Sequence, residues 1–283
     1  MKLIIDEKAI VNNIEKAKAL VTTSAISVML KSFYEYLEKV VPEGTTLFSK
    51  TIKGSVCYSI NEANENHSAA VVICIDDVMR LYQLGVKTFY IPINALDDRE
   101  GLSVSDALFL AKIINALDGV SCIAMLTSGC INEKSLTLTA LTELWNKKLK
   151  GVMTGISLGG SFYLQKRVPK FVTEVRIGEY MLFGTIPYCS NVSLFGTNAL
   201  SVEMEVVGVY RERKQIIVKG GYEHIDTKDS KLLSGGIEYV DSSCDYTIYS
   251  DPFDKYSVGD KVLVVPSYKS LVKLRYVERE YKE

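Results

Sequence analysis

Over the first two thirds of the chain, apolar residues fall in short continuous blocks rather than in strict alternation. Blocks at residues 25–30, 56–60, 70–75, 88–93, 121–126, 152–157 and 174–177 have the length and Val/Ile content of strands buried on both faces. A further strand is expected at 181–183. Between the blocks, helical periods run over residues 6–21, 76–84, 104–117 and 137–149. Asp6 supplies a helix N-cap, and Ser103 followed by Asp106 supplies a capping-box-like one. Strands alternating with helices predict a parallel sheet covered by helices, and seven or eight such units predict a (β/α)8 barrel. The region spans roughly 190 residues where that fold takes about 250, so some of its helices must be short or missing.

The pattern changes near residue 193. Strand-like runs at 202–210, 215–219, 245–249 and 261–265 are separated by turn signals such as Gly220-Gly221, Gly235-Gly236, Asp251-Pro252 and Gly259-Asp260, with no helical period between them. The expected organisation is therefore α/β: a TIM-like barrel over 1–192 and a small all-β domain over 193–283. The opening strand at 1–6 is assignable to either.

Composition narrows the class without choosing a function. With 33 Lys and Arg against 34 Asp and Glu, the net charge is -1, and no basic field favours nucleic acid. No apolar run approaches the ~20 residues needed to span a bilayer. The run after Met1 is too brief for a signal peptide. The six cysteines form no CxxC pair, and His67 and His224 are the only histidines, so neither a metal cage nor a disulfide framework is expected. The expectation is a reduced, cytoplasmic protein that engages neither nucleic acid nor membrane.

Lys31 closes the first apolar block. A lysine at the C-terminal end of a buried parallel strand sits at the mouth of the sheet, where desolvation favours the neutral, nucleophilic amine. The commonplace alternative is a strand end returning to water. Further along stand Asp98-Arg99-Glu100-Gly101, Thr127-Ser128-Gly129-Cys130, Ile156-Ser157-Leu158-Gly159-Gly160-Ser161 and Glu174-Val175-Arg176-Ile177-Gly178-Glu179, then Leu182-Phe183-Gly184. The β region carries Gly221-Tyr222-Glu223-His224-Ile225-Asp226, Gly236-Ile237-Glu238, Ser243-Cys244-Asp245-Tyr246 and Val258-Gly259-Asp260.

In this order, over about 250 positions, these segments resemble the alanine racemase-like (fold type III) enzymes that use pyridoxal 5'-phosphate (PLP). Among them the match is best to the ornithine racemase-like amino-acid racemases. The resemblance implies a PLP-binding barrel with Lys31 as the amine that holds the cofactor. Gly160, Ser161, Gly178, Glu179 and Tyr34 would lie around the phosphate. Arg176 resembles the arginine that faces the pyridine nitrogen in this class. A guanidinium does not give up its proton, so that nitrogen would stay unprotonated and the ring would be a weaker electron sink, favouring proton exchange at Cα over decarboxylation. The alternative for Arg176 is a surface salt bridge with Glu174 or Glu179.

Racemisation requires an acid/base on each face of the substrate carbon. Lys31 serves one face; Cys130 and Tyr246 are the candidates for the other. Tyr246 stands where the racemases carry a histidine after an aspartate, Asp245, which joins Arg99 as a substrate-binding candidate, Arg99 for the substrate carboxylate unless its charged turn is only a solvated loop. The implied activity is interconversion of L- and D-amino acids, ornithine or another basic or polar one, by a homodimer with sites shared between barrel and β domain. The alternative is a non-catalytic PLP-binding or carrier protein of the same fold. The chain departs from the class in several places. Ser32-Phe33-Tyr34-Glu35-Tyr36 lacks the usual small polar pattern, Gly160 replaces an asparagine, and Ser128 replaces the asparagine of a Gly-Thr-Asn turn.

Overall fold

The computed structural model describes residues 1–31, 34–60, 62–94, 100–127, 137–165, 167–185 and 196–282. The chain begins with strand β1 (Lys2–Asp6) and helix α1 (Glu7–Leu20), whose first turn is capped by Asp6 Oδ1 accepting the Ala9 N–H at 2.8 Å. Two compact units follow: one comprises Met1–Asn12, Leu182–Gly184 and Gly196–Glu283, and the other is built on Asn13–Met181.

The larger unit is a closed parallel barrel. Its strands are β2 (Ala25–Met29), β3 (Thr46–Phe48), β4 (Val56–Cys57), β5 (Ala69–Val71), β6 (Thr88–Pro92), β7 (Ser121–Thr127), β8 (Gly155–Gly159) and β9 (Val172–Ile177). Each pairs with the next, and β9 returns to β2 through Ser27↔Arg176 and Val28↔Ile177. The interior is filled by Phe48, Val56, Ala69, Val71 and Tyr90, flanked by Met29, Tyr58, Ile123 and Met125. Phe48 and Tyr90 meet edge to face at 5.2 Å. Burying an aromatic of this size contributes roughly 2–3 kcal/mol, so this layer is a large share of the barrel's cohesion.

The barrel is short because its first half dispenses with helices. The connection after β2 carries a single 3-10 stretch (Glu35–Val40), and β3, β4 and β5 have two or three residues each. Full-length helices follow only later: α2 (Ile75–Gln83), α3 (Val104–Asn115), and α4 (Leu138–Leu144), which loosens into a π-turn over Trp145–Leu149. Ser103 caps α3 as expected, accepting the Asp106 N–H at 3.2 Å. Residues 181–183 are not the expected strand. They lie in α5 (Glu179–Phe183), because β9 already closes the barrel against β2 and leaves no edge for another strand to join.

The smaller unit is antiparallel apart from one pair. Its strands are β10 (Leu200–Tyr210), β11 (Gln215–Lys219), β12 (Lys231–Leu232), β13 (Glu238–Ser242), β14 (Tyr246–Ser250), β15 (Lys261–Val265) and β16 (Glu278–Lys282). The sheet runs β12-β15-β10-β11-β14-β13. β1 adds to it, antiparallel to β10 and parallel to β16. No helix among the described residues is long and apolar enough to cross a membrane.

Candidate active site

In a parallel barrel every strand delivers its C-terminal end to the same mouth, and loops there carry side chains on a rigid rim. Lys31 follows β2, Gly160 and Ser161 follow β8, and Gly178 and Glu179 follow β9. β9 lies between the other two strands, so these residues and Arg176 share one sector of the mouth.

Lys31 Nζ sits over the Tyr58 ring, 4.8 Å from its centroid. Tyr34 is buried; its N–H donates to Lys31 O at 2.8 Å and its hydroxyl to Met29 O at 2.9 Å. The same hydroxyl lies where a side chain on Gly178 would begin: a Cβ there would stand 3.3 Å from Tyr34 Oη. A glycine at this point keeps room beside Tyr34 that any other residue would fill. Gly160 has φ +111° and donates its N–H to Arg176 O at 3.2 Å. Ser161 Oγ, buried, accepts the Tyr180 N–H at 3.2 Å, which leaves its own O–H to be donated. Glu179 is partly buried, and desolvation raises its carboxyl to about 7.

Arg176 is 2% exposed, so the surface salt-bridge alternative does not hold. Nη1 donates to Ser157 O at 2.8 Å and to Ser157 Oγ at 2.6 Å, and Nη2 donates to Leu126 O at 2.9 Å. Ser157 in turn donates its hydroxyl to Glu174 Oε2, and Glu174 lies near enough to Tyr90 to raise its hydroxyl. Arginine and carboxylate are thus linked through one serine in the barrel interior, beside the Phe48 ring. Burial lowers the guanidinium to about 10 against the opposing pull of Glu174 and Tyr90, so it stays charged at neutral pH. Three of its five N–H donors are spent, and the other two have no acceptor among the described residues. Burial first, and Glu174 second, raise the Tyr90 hydroxyl, which therefore acts as a donor.

Arg99 and Cys130 lie outside the described residues. Asp245 and Tyr246 belong to the β unit, where they line a cavity of about 140 Å³ with Met1, Lys219, Gly220 and His224. His224 Nδ1 is buried there without a hydrogen-bond partner among the described residues. The sequence reading missed Tyr58, Tyr90 and the link through Ser157. Their only signal was position in an apolar block, since which face of a strand points inward depends on barrel closure.

No protein-family model and no curated protein matches the chain. Solved structures do. Alanine racemase from Corynebacterium glutamicum superposes with a TM-score of 0.73 at 13% identity, covering 99% of each chain. The fold is that of the alanine racemases. The same architecture holds D-threonine aldolase from Filomicrobium marinum, with TM-score 0.73, 14% identity, and 99% of this chain against 90% of that one. It also holds D-threo-3-hydroxyaspartate dehydratase from Delftia sp. HT23, with TM-score 0.67, 14% identity, and 99% against 94%. The racemase fold thus hosts more than one reaction, and the choice among them rests on this chain's own residues.

Proposed function

We propose that the protein is a PLP-dependent amino-acid racemase. The observation that carries the proposal is Arg176: a buried, charged guanidinium with two uncommitted donors, in the same sector of the barrel mouth as Lys31. The surrounding donor set fits the cofactor. Lys31 offers the amine, the Ser161 hydroxyl and the space at Gly178 beside Tyr34 suit a phosphate group, and Arg176 suits a ring nitrogen that only accepts. When bound, PLP supplies the electron sink that makes the substrate Cα–H acidic.

The protein's part is to bind, orient and move protons. Lys31, once freed by the incoming amino acid, takes or returns the Cα proton on one face. Arg176, locked by Ser157 and Leu126, keeps its proton and so does not hand one to the ring, which favours reversible proton exchange over decarboxylation or transamination. Cys130 and Tyr246 remain the proposed bases for the opposite face. The proposed substrate class is a basic or polar amino acid such as ornithine, and the proposed working form is a homodimer in the cytoplasm.

The experiment is an absorption spectrum of the purified protein and of Lys31→Ala, each incubated with PLP and dialysed. A retained band near ~420 nm in the first, lost on borohydride reduction and absent from the variant, is the expected result. No band in the unaltered protein refutes the proposal. With the band present, chiral chromatography of Cys130→Ser and Tyr246→Phe tests turnover: one of them should abolish racemisation, whereas a carrier would racemise nothing before or after substitution.

A further inference from the structure

Lys50 lies in the loop after β3, at the same mouth as Lys31, and nothing above gives it a role. Its backbone and side chain are held by four other residues. The Glu35 carboxylate accepts the Lys50 N–H at 3.0 Å and also grips the neighbouring hydroxyls, Ser49 Oγ at 2.5 Å and Thr51 Oγ1 at 2.8 Å. These donors hold the Glu35 carboxyl below its usual range despite its partial burial. On the other side, buried His67 meets Lys50 O through Nε2 at 3.0 Å. A carbonyl only accepts, so Nε2 carries the proton, and Nδ1 is the atom that accepts the Asn64 N–H at 3.2 Å. The Lys50 ammonium pairs with Glu62 at 2.8 Å and lies 5.9 Å from the centroid of Tyr58, the ring that Lys31 also overlies.

Lysines on loops are normally mobile, and fixing one costs side-chain entropy. Here Glu35 and His67 fix the backbone from which the side chain springs, and Glu62 and the Tyr58 ring hold the ammonium in place, so part of that cost is already met, which is the condition under which a charged group binds a ligand well. The pair with Glu62 is half exposed and therefore weak, so a carboxylate from a ligand can replace it. We propose that Lys50 is the carboxylate anchor of the barrel mouth: it receives the carboxylate of an amino acid whose amine takes the place of Lys31. This rests on the cofactor reading above and names how that site selects amino acids over simple amines.

The test uses the PLP-loaded protein and a spectral titration, not turnover. L-Ornithine, L-lysine, L-alanine and L-serine are each compared with the amine that differs from it only by the carboxylate. For the best pair, the unaltered protein should bind the amino acid at least about tenfold more tightly than the amine, in line with a charge-assisted contact. Lys50→Met should bring that ratio near one while leaving the cofactor band and the affinity for the amine unchanged. Lys50→Arg should keep most of the preference. Glu62→Gln, which removes the competing carboxylate, should tighten amino-acid binding severalfold; a purely structural lysine would give no such gain. A preference that survives Lys50→Met, or its absence from the unaltered protein, overturns the inference. Absence of the cofactor band is a different result, and it refutes the cofactor reading itself.

Discussion

Arg176 is held by a serine, and the serine by a carboxylate, so charge balance in the barrel interior hangs on Glu174. Removing one partner of a buried charged pair leaves the other uncompensated. Glu174→Gln should therefore cost roughly 3 kcal/mol, read as a lower urea midpoint, and Ser157→Ala roughly 1–2 kcal/mol. Glu179 gives a prediction with a definite sign. Its native carboxyl keeps a proton to about pH 7, while the unfolded chain releases it near 4.5. The native state binds more protons in that window, so its contribution to stability falls as pH rises through it. Glu179→Gln should raise stability at pH 8 by about 2 kcal/mol, discounted for partial exposure, and by nothing at pH 4; urea melts at the two values check this. Arg176 was legible in the sequence because a short motif surrounds it. The hold on Lys50 was not, because Glu35, Lys50 and the pair Glu62 and His67 lie on three separate loops that meet only in the folded barrel.

Among the elements, the long ones could be read directly and the short ones could not. Strands β6, β7 and β8 and helices α2 and α3 follow from apolar blocks and a capped helical period. β3, β12, β13 and β16 were missed, since two or three residues carry no period and β13 and β16 are largely polar with no buried residue, while the block at 56–60 shortens to β4. The apolar run at 181–183 was misread because a strand and a buried helical turn look alike at that length. The turn before β14 shows how tightly such short pieces are fitted. A Cβ on Gly221 would stand 2.0 Å from Ser243 O and 2.5 Å from Cys244 O, the two carbonyls that accept from Tyr222 and Glu223. Gly221→Ala should cost upward of about 3 kcal/mol. Gly208→Ala, where the nearest side-chain atom is Ile217 Cβ at 3.6 Å, should change stability by less than about 1 kcal/mol, in the favourable direction. Denaturant melts of the two variants side by side make the comparison.

For the whole molecule, the cofactor reading predicts linkage between ligand and stability. A ligand present at 100 times its Kd stabilises the state that binds it by about 2.7 kcal/mol, so PLP should raise the melting temperature of the unaltered protein and not of Lys31→Ala. The architecture was legible as a barrel followed by an all-β region because the change from helical to alternating periods near residue 193 is abrupt. The place of β1 was open in the sequence and is settled by its pairing with β10 and β16. That pairing bears on how the protein is made. Lys2 stands opposite Glu278, and Leu3, Ile4 and Ile5 are buried in the folded protein. On the ribosome this greasy strand emerges ahead of the barrel and must wait while the barrel is synthesised, until β10 and at last β16 arrive. The barrel strands, spanning residues 25–177, are complete long before then. Throughout that interval the nascent chain carries an unpaired strand edge, which makes it a client for holding chaperones and the segment most exposed to misassembly between neighbouring chains.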